Sequence, residues 1–271
     1  MGIVIALAVI IVVYLLLIMP RILNRPDDTA LKGWYYAHRG FHDNQTAAPE
    51  NSMKAFEKAV KAGYGIELDV QVSKDLQPVV FHDKTLRRVC AVDGKVSDYT
   101  YAELQKFRLC ESNEKIPLLK DVLELVNGKV PLVIELKCYE KAGVICQTAD
   151  QLLKDYKGTY CVESFHPLAL QWYRQHRPEV IRGQLATNFR LTESGLAPYL
   201  EVVHYLLTNV VCRPDFIAYD YRFKNNLSRK LCCGMFGAAS VGWTIRSQQT
   251  MDACRGDFDL FIFEGFRPTK K

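Results

Sequence analysis

Short apolar runs, each ending on a charged or histidine-bearing motif, recur along this chain and restrict its fold more than any other feature. Trp34 to Ala37 leads into His38-Arg39-Gly40, and Tyr64 to Ile66 into Glu67-Leu68-Asp69. Val79 to Phe81 leads into His82-Asp83, and Leu132 to Ile134 into Glu135-Leu136-Lys137. Runs of this length and composition read as buried strands. Side chains two apart on a strand share a face, so Glu67 and Asp69 point the same way, as do Glu135 and Lys137. Helix-like segments alternate with the strands to the end of the chain, the signature of a parallel α/β sheet or barrel. Polar groups gathered at the ends of such strands predict a TIM-like (β/α)8 barrel with its chemistry on that rim.

Further strands are predicted over Tyr160 to Phe165, Ile181 to Ala186, Phe216 to Asp220, Ser240 to Thr244 and Leu260 to Glu264. That makes nine candidates for eight staves. The link from Val70 to Pro78 is too short for a crossover helix, which needs a dozen or more residues. Either it is an extended crossover, or one segment lies outside the barrel. Asn51 or Ser52 can cap a helix that buries Phe56, Ala59 and Val60, and Thr100 with Glu103 forms a capping-box pattern. Pro117 opens a helix that Asn127-Gly128 stops, and later helices begin near Pro167, Leu196, Leu227 and Gln248.

The N-terminus is a different material. Ile3 to Met19 is apolar and uncharged, and Pro20, Arg21 and Arg25 end it. At 1.5 Å per residue it extends roughly 26 Å, against a bilayer core of about 30 Å. A cleaved signal peptide would show a basic segment before the run and a small-x-small site after it, and neither is present. The sequence therefore predicts one transmembrane helix over residues 1–20, a linker over 21–32 containing Pro26 and Asp27-Asp28, and a barrel domain over 33–271. Arg21, Arg25 and Lys32 follow the span and no basic residue precedes it, which predicts a single-pass membrane protein with a cytoplasmic domain. Nine cysteines, an odd number without a CxxC pair, argue against a zinc site and for a reducing compartment. A net charge of +5 with no dense basic stripe excludes a nucleic-acid partner.

Taken singly, each motif has an ordinary explanation: a structural histidine, a solvent-facing strand edge, a helix cap, an ion pair. Their joint setting changes the balance. Glu67, Asp69 and Glu135 follow apolar strand residues, and buried carboxylates are too costly without a cation. All-oxygen ligands select a hard divalent ion, Mg²⁺ or Ca²⁺.

Together with Pro49-Glu50-Asn51-Ser52, Ala55-Phe56 and Ile116-Pro117-x-Leu119, these motifs strongly resemble the glycerophosphodiester phosphodiesterase family. A weaker likeness runs through Ser164-Phe165 and Trp243-Thr244, and the large insertion some members carry after the second histidine is missing. The resemblance implies that Glu67, Asp69 and Glu135 hold the metal and that Arg39 and Lys137 clamp the phosphate. It also implies that His38 and His82 are the acid–base pair. In the family the glycerol hydroxyl beside the phosphoester attacks first, and water opens the resulting cyclic phosphate to glycerol 3-phosphate. Glu50 supports the metal from behind or answers a helix N-terminus; Asn51 is at least as good a cap as a ligand. Phe165 and Trp243 wall the glycerol pocket or fill the barrel. His42, His166, His176 and His204 read as structural or surface residues. Where the family often carries Ile-Thr-Asp-x-Pro, this chain has Phe261-Ile262-Phe263-Glu264-Gly265, which leaves the role of that aspartate open. Two other functions fit the same residues: a lysophospholipase D reaching membrane lysophospholipids, and a non-catalytic barrel that binds phosphorylated ligands.

Overall fold

A computed structural model describes residues 1–192 and 198–269. Its strands are β1 (Tyr35–Ala37), β2 (Gly65–Val72), β3 (Pro78–Val80), β4 (Leu132–Leu136), β5 (Tyr160–Ser164), β6 (Arg182–Ala186), β7 (Phe216–Asp220), β8 (Ala239–Ile245) and β9 (Leu260–Phe263). Eight of them pair in parallel, β2 beside β4 and then in chain order to β9. Tyr36 sits opposite both Ile262 and Gly65, so β1 joins β9 to β2 and closes the barrel. The ninth strand, β3, runs antiparallel to β2 with Val80 opposite Val70. The short link before Pro78 is thus a hairpin, and the surplus segment lies outside the ring. Residues after β3 build a small core of their own around Phe81, Leu86, Val89, Val96, Leu104 and Leu109, which carries His82 to the rim.

Strand alternation sorts the chemistry. Ile66, Leu68 and Val70 of β2 and Leu132, Ile134 and Leu136 of β4 join the core under the helices. Their neighbours Glu67, Asp69 and Glu135 are therefore turned inward. The lower interior is filled by Tyr36, Val133, Cys161, Ile181, Phe216 and Val241. Gly65 and Gly183 make room for that plug. A β-carbon would come within 2.7 Å of the Tyr36 ring at the first and 2.0 Å of the Phe216 ring at the second.

The helix α2 (Met53–Ala62) is capped by Ser52, whose hydroxyl accepts from the Ala55 amide. Thr100 and Glu103 form the reciprocal capping box, and Asn127 ends the helix Leu119–Val126 in a left-handed conformation. Helices begin at Pro167, Leu227 and Gln248 as expected, whereas Leu196 lies outside the described residues.

The N-terminal expectation is corrected. The helix α1 (Gly2–Ile18) has 17 residues, and its last turn is committed to the barrel. Ile18 is fully buried, and its carbonyl accepts from Asn209 Nδ2 at 2.7 Å and Cys232 Sγ at 3.2 Å. Tyr14 and Ser228 share a hydroxyl hydrogen bond of 2.8 Å, and Arg213 Nη1 donates to Met19 O at 2.6 Å. The projecting part is shorter than about 26 Å, below the thickness of a bilayer core. No helix among the described residues is long and apolar enough to cross a membrane. The single-pass span is therefore not supported, and the membrane localisation with a cytoplasmic domain falls with it. Residues 21–32 also contact the barrel. Arg21 donates to Pro178 O at 2.8 Å, Arg25 to Phe236 O at 2.7 Å and to Gly237 O, and Leu31 is buried beneath the barrel. Ile18→Ala should cost about 2–5 kcal/mol of stability, whereas Ile10→Ala, at a position 63% exposed, should stay within about 0.5 kcal/mol. Equal denaturation midpoints for the two variants would show that α1 is not docked.

Candidate active site

The His38-Arg39-Gly40 turn leaves β1 with its backbone held against β9, His38 N donating to Phe263 O at 2.9 Å. Arg39 (φ 54°) and Gly40 (φ 80°) are both left-handed. At Gly40 a β-carbon would fall 2.9 Å from that of Ala55, so only glycine lets the turn lie on α2. The turn aims two functional groups at the rim at once. The Arg39 amide donates to Glu67 Oε2 at 2.9 Å, and His38 Nε2 stands 3.9 Å from the same oxygen.

Each histidine of the expected pair is fixed by a carboxylate at its other nitrogen. His38 Nδ1 is 2.6 Å from Glu264 Oε2. Burial opposes ionisation of Glu264, but the hydrogen bond and charge of His38 outweigh it and hold the carboxyl at about 2. An ionised carboxylate only accepts, so Nδ1 carries the proton and the Nε2 lone pair faces the carboxylates. Burial first, and the Arg39 charge second, lower His38 to about 4. His82 Nδ1 is likewise 2.6 Å from Asp83 Oδ1. Arg88 clamps Asp83 at 2.6 Å and reaches Glu50 with Nη1 and Nη2 at 2.8 and 2.6 Å. Burial also lowers His82, with Lys137 acting in the same sense.

Between the histidines lies the buried trio Glu67, Asp69 and Glu135, whose ligand oxygens are all within 4.8 Å of one another. Lys137 Nζ is 2.7 Å from Glu135 Oε1 and 3.1 Å from Asp69 Oδ1, and Arg39 Nε is 3.5 Å from Asp69 Oδ2. Burial raises Glu67 well above the carboxylate range, and the charges of Asp69 and Glu135 add to the effect. Burial also raises Glu135 against the pull of Lys137. Asp69 behaves oppositely: burial disfavours its charge, but Lys137, His82 and Arg39 together keep it well below the usual range. Among the described residues Asp69 Oδ1 is buried without a properly directed hydrogen bond, as is Glu163 Oε2 nearby. Crowded, partly unsatisfied carboxylate oxygens are what a hard divalent ion accepts, so these residues fit Mg²⁺ or Ca²⁺.

The supporting residues divide differently than the sequence suggests. Asn51 is no helix cap: its Nδ2 donates to Asp69 Oδ2 at 2.8 Å. Glu50 is turned to Arg39 (2.7 Å), Asn44 (2.8 Å) and Arg88, and steadies cations rather than facing the carboxylate trio. Phe165 and Trp243 meet edge-to-face at 5.7 Å on the wall of a pocket of about 210 Å³ that also exposes His38, Arg39, His82 and Lys137. From the same rim an apolar groove of about 800 Å³ runs past Phe165, Leu168, Phe189, Leu200 and Val203. His176 stacks on Trp172, and His204 bonds the Thr187 carbonyl at 2.9 Å, so both are structural. His42, which reads from sequence as structural or surface, joins His38 and Glu264 instead. Sequence reasoning does not reach Glu264, Glu163 and Asp220 as site residues. The signal that could find them is a carboxylate at the C-terminal end of a barrel strand.

Residues 38–255 match the glycerophosphoryl diester phosphodiesterase family. The chain is 36% identical over 157 residues to a glycerophosphodiester phosphodiesterase of Bacillus altitudinis, a match covering 54% of this chain and 63% of that protein. It is 34% identical over 157 residues to a lysophospholipase D of Rattus norvegicus, covering 53% of this chain and 48% of that protein. It thus spans from about half to under two thirds of the length of these curated relatives. An Oleispira antarctica phosphodiesterase, solved in complex with the product sn-glycerol-3-phosphate, has the same fold with a TM-score of 0.70. That likeness is at 22% identity and covers 86% of this chain and 93% of the other.

Proposed function

Because the chain belongs to the glycerophosphoryl diester phosphodiesterase family, we propose that it hydrolyses glycerophosphodiesters to glycerol 3-phosphate and an alcohol, with a divalent metal held by Glu67, Asp69 and Glu135. The observation that carries this reading is the pair of carboxylate-fixed histidines flanking a buried carboxylate–lysine cluster. When bound, Mg²⁺ or Ca²⁺ supplies Lewis acidity toward a phosphate oxygen. Arg39 offers a planar fork to the phosphate and Lys137 a point charge. One of His38 and His82 takes the proton of the attacking glycerol hydroxyl, while the other gives a proton to the departing alcohol. The two then exchange roles as water opens the cyclic phosphate. Glu264 and Asp83 keep each ring in the tautomer that leaves Nε2 free for this exchange. Phe165 and Trp243 wall the glycerol end of the pocket. The catalytic unit is residues 33–271, strapped below by residues 21–32.

A second reading, lysophospholipase D activity, is supported by the apolar groove beside the same rim. A single acyl chain has the shape and polarity to lie along Phe165, Leu168, Phe189 and Leu200. The similarity to the rat lysophospholipase D points in the same direction. Purified full chain, assayed with Mg²⁺ or Ca²⁺, should release glycerol 3-phosphate from glycerophosphocholine. A kcat/KM at least tenfold higher for lysophosphatidylcholine would establish the second reading. Turnover of no diester would leave a non-catalytic barrel that binds phosphorylated ligands.

A further inference from the structure

His42 joins the site without a part in the chemistry above. Both of its ring nitrogens are buried, and among the described residues neither has a hydrogen-bond partner. One of them, one His38 nitrogen and a Glu264 oxygen lie within 4.8 Å of one another. Buried imidazole nitrogens are ordinarily satisfied by a protein group, a water or a metal. Two imidazoles and one carboxylate form a donor set that Zn²⁺ accepts at about 2.0–2.1 Å, with a fourth position left open. Imidazole favours such borderline transition ions, whereas the all-oxygen trio next door favours Mg²⁺ or Ca²⁺. Ligand atoms around a tetrahedral ion of that size lie roughly 3.3 Å apart, so the His38–Glu264 contact of 2.6 Å needs only a small opening.

We propose that His38, His42 and Glu264 form a second cation site, selective for Zn²⁺ or a similar transition ion, whose filling switches the acid–base pair off. The inhibitory half rests on His38 serving in that pair; the binding half does not. Coordination takes the lone pair of His38 Nδ1, the atom that otherwise donates to Glu264. The ring proton then sits on Nε2, and the ring no longer presents a lone pair to the carboxylates. Glu264 is withdrawn from its orienting role by the same event.

The test uses the full chain in millimolar Mg²⁺ without substrate, with Zn²⁺ titrated against a chromophoric chelator. One Zn²⁺ per chain should compete with the chelator, and His42→Ala should weaken that binding at least tenfold. In zinc-free Mg²⁺ buffer, turnover by His42→Ala should match wild type, while its inhibition by Zn²⁺ should need at least tenfold more metal. Co²⁺ in place of Zn²⁺ should give the intense visible bands of a four-coordinate site in wild type, and they should vanish in His42→Ala. His42→Gln, which keeps bulk but loses the imidazole, serves if the alanine variant misfolds. Zn²⁺ binding that is absent in wild type, or unchanged in both His42 variants, overturns the site. Because binding is read without substrate, a failure of diester hydrolysis would leave the zinc affinities and their dependence on His42 unaffected.

Discussion

His82→Ala is expected to lower kcat on glycerophosphocholine by about 10²–10⁴-fold, with the fold retained. His82 sits part-exposed on the rim, and its ring meets Asp83 rather than the core, so truncation leaves no apolar cavity. His38→Ala should fall in the same range. Groups that act as one unit are not additive, so the double variant should lie little below the worse single one. His176→Ala is the control, because its ring stacks on Trp172 away from the pocket and should change kcat less than twofold. The readouts are kcat and the circular dichroism of each variant. Wild-type kcat in His82→Ala would end the two-histidine scheme.

What can be read in the sequence is local. A period of two residues is enough to put Glu67 with Asp69 and Glu135 with Lys137 on common faces, and both pairs lie as that period requires. The capping of α2 by Ser52 and the Thr100–Glu103 box are legible for the same reason. What cannot be read depends on partners far away in the chain. β3 lies outside the barrel because it folds back on β2, and an apolar run of three residues does not state its direction. The apolar composition of α1 is silent about Asn209, Ser228 and Cys232, which receive its last turn roughly two hundred residues later. Glu264 reads as a departure from the family pattern because only the pairing of β9 with β1 brings it to His38. Asn51 reads as a helix end because Asp69, the residue it holds, is reached only through the barrel wall.

The carboxylate trio carries the other large expectation. Glu67→Gln or Asp69→Asn keeps the shape of the side chain and removes one ionic oxygen donor. Losing a metal that stabilises developing charge removes several kcal/mol, on the order of 10²–10⁴-fold in rate. Excess chelator should lower wild-type activity by the same order, and Mg²⁺ or Ca²⁺ should restore it. Rate alone does not separate a lost metal from a lost charge, so a thermal readout is needed beside it. An ion that binds only the folded state at a hundred times its Kd adds about 2.7 kcal/mol of stability. The wild-type melting temperature should therefore rise when Mg²⁺ or Ca²⁺ is added, and that of Glu67→Gln should rise much less. In chelator the order reverses. Burial and the neighbouring carboxylates already disfavour the Glu67 charge, so the neutral amide should be as stable as wild type or more so. A wild type that is fully active in excess chelator and shows no metal-dependent melting would leave Glu67, Asp69 and Glu135 without the role assigned to them.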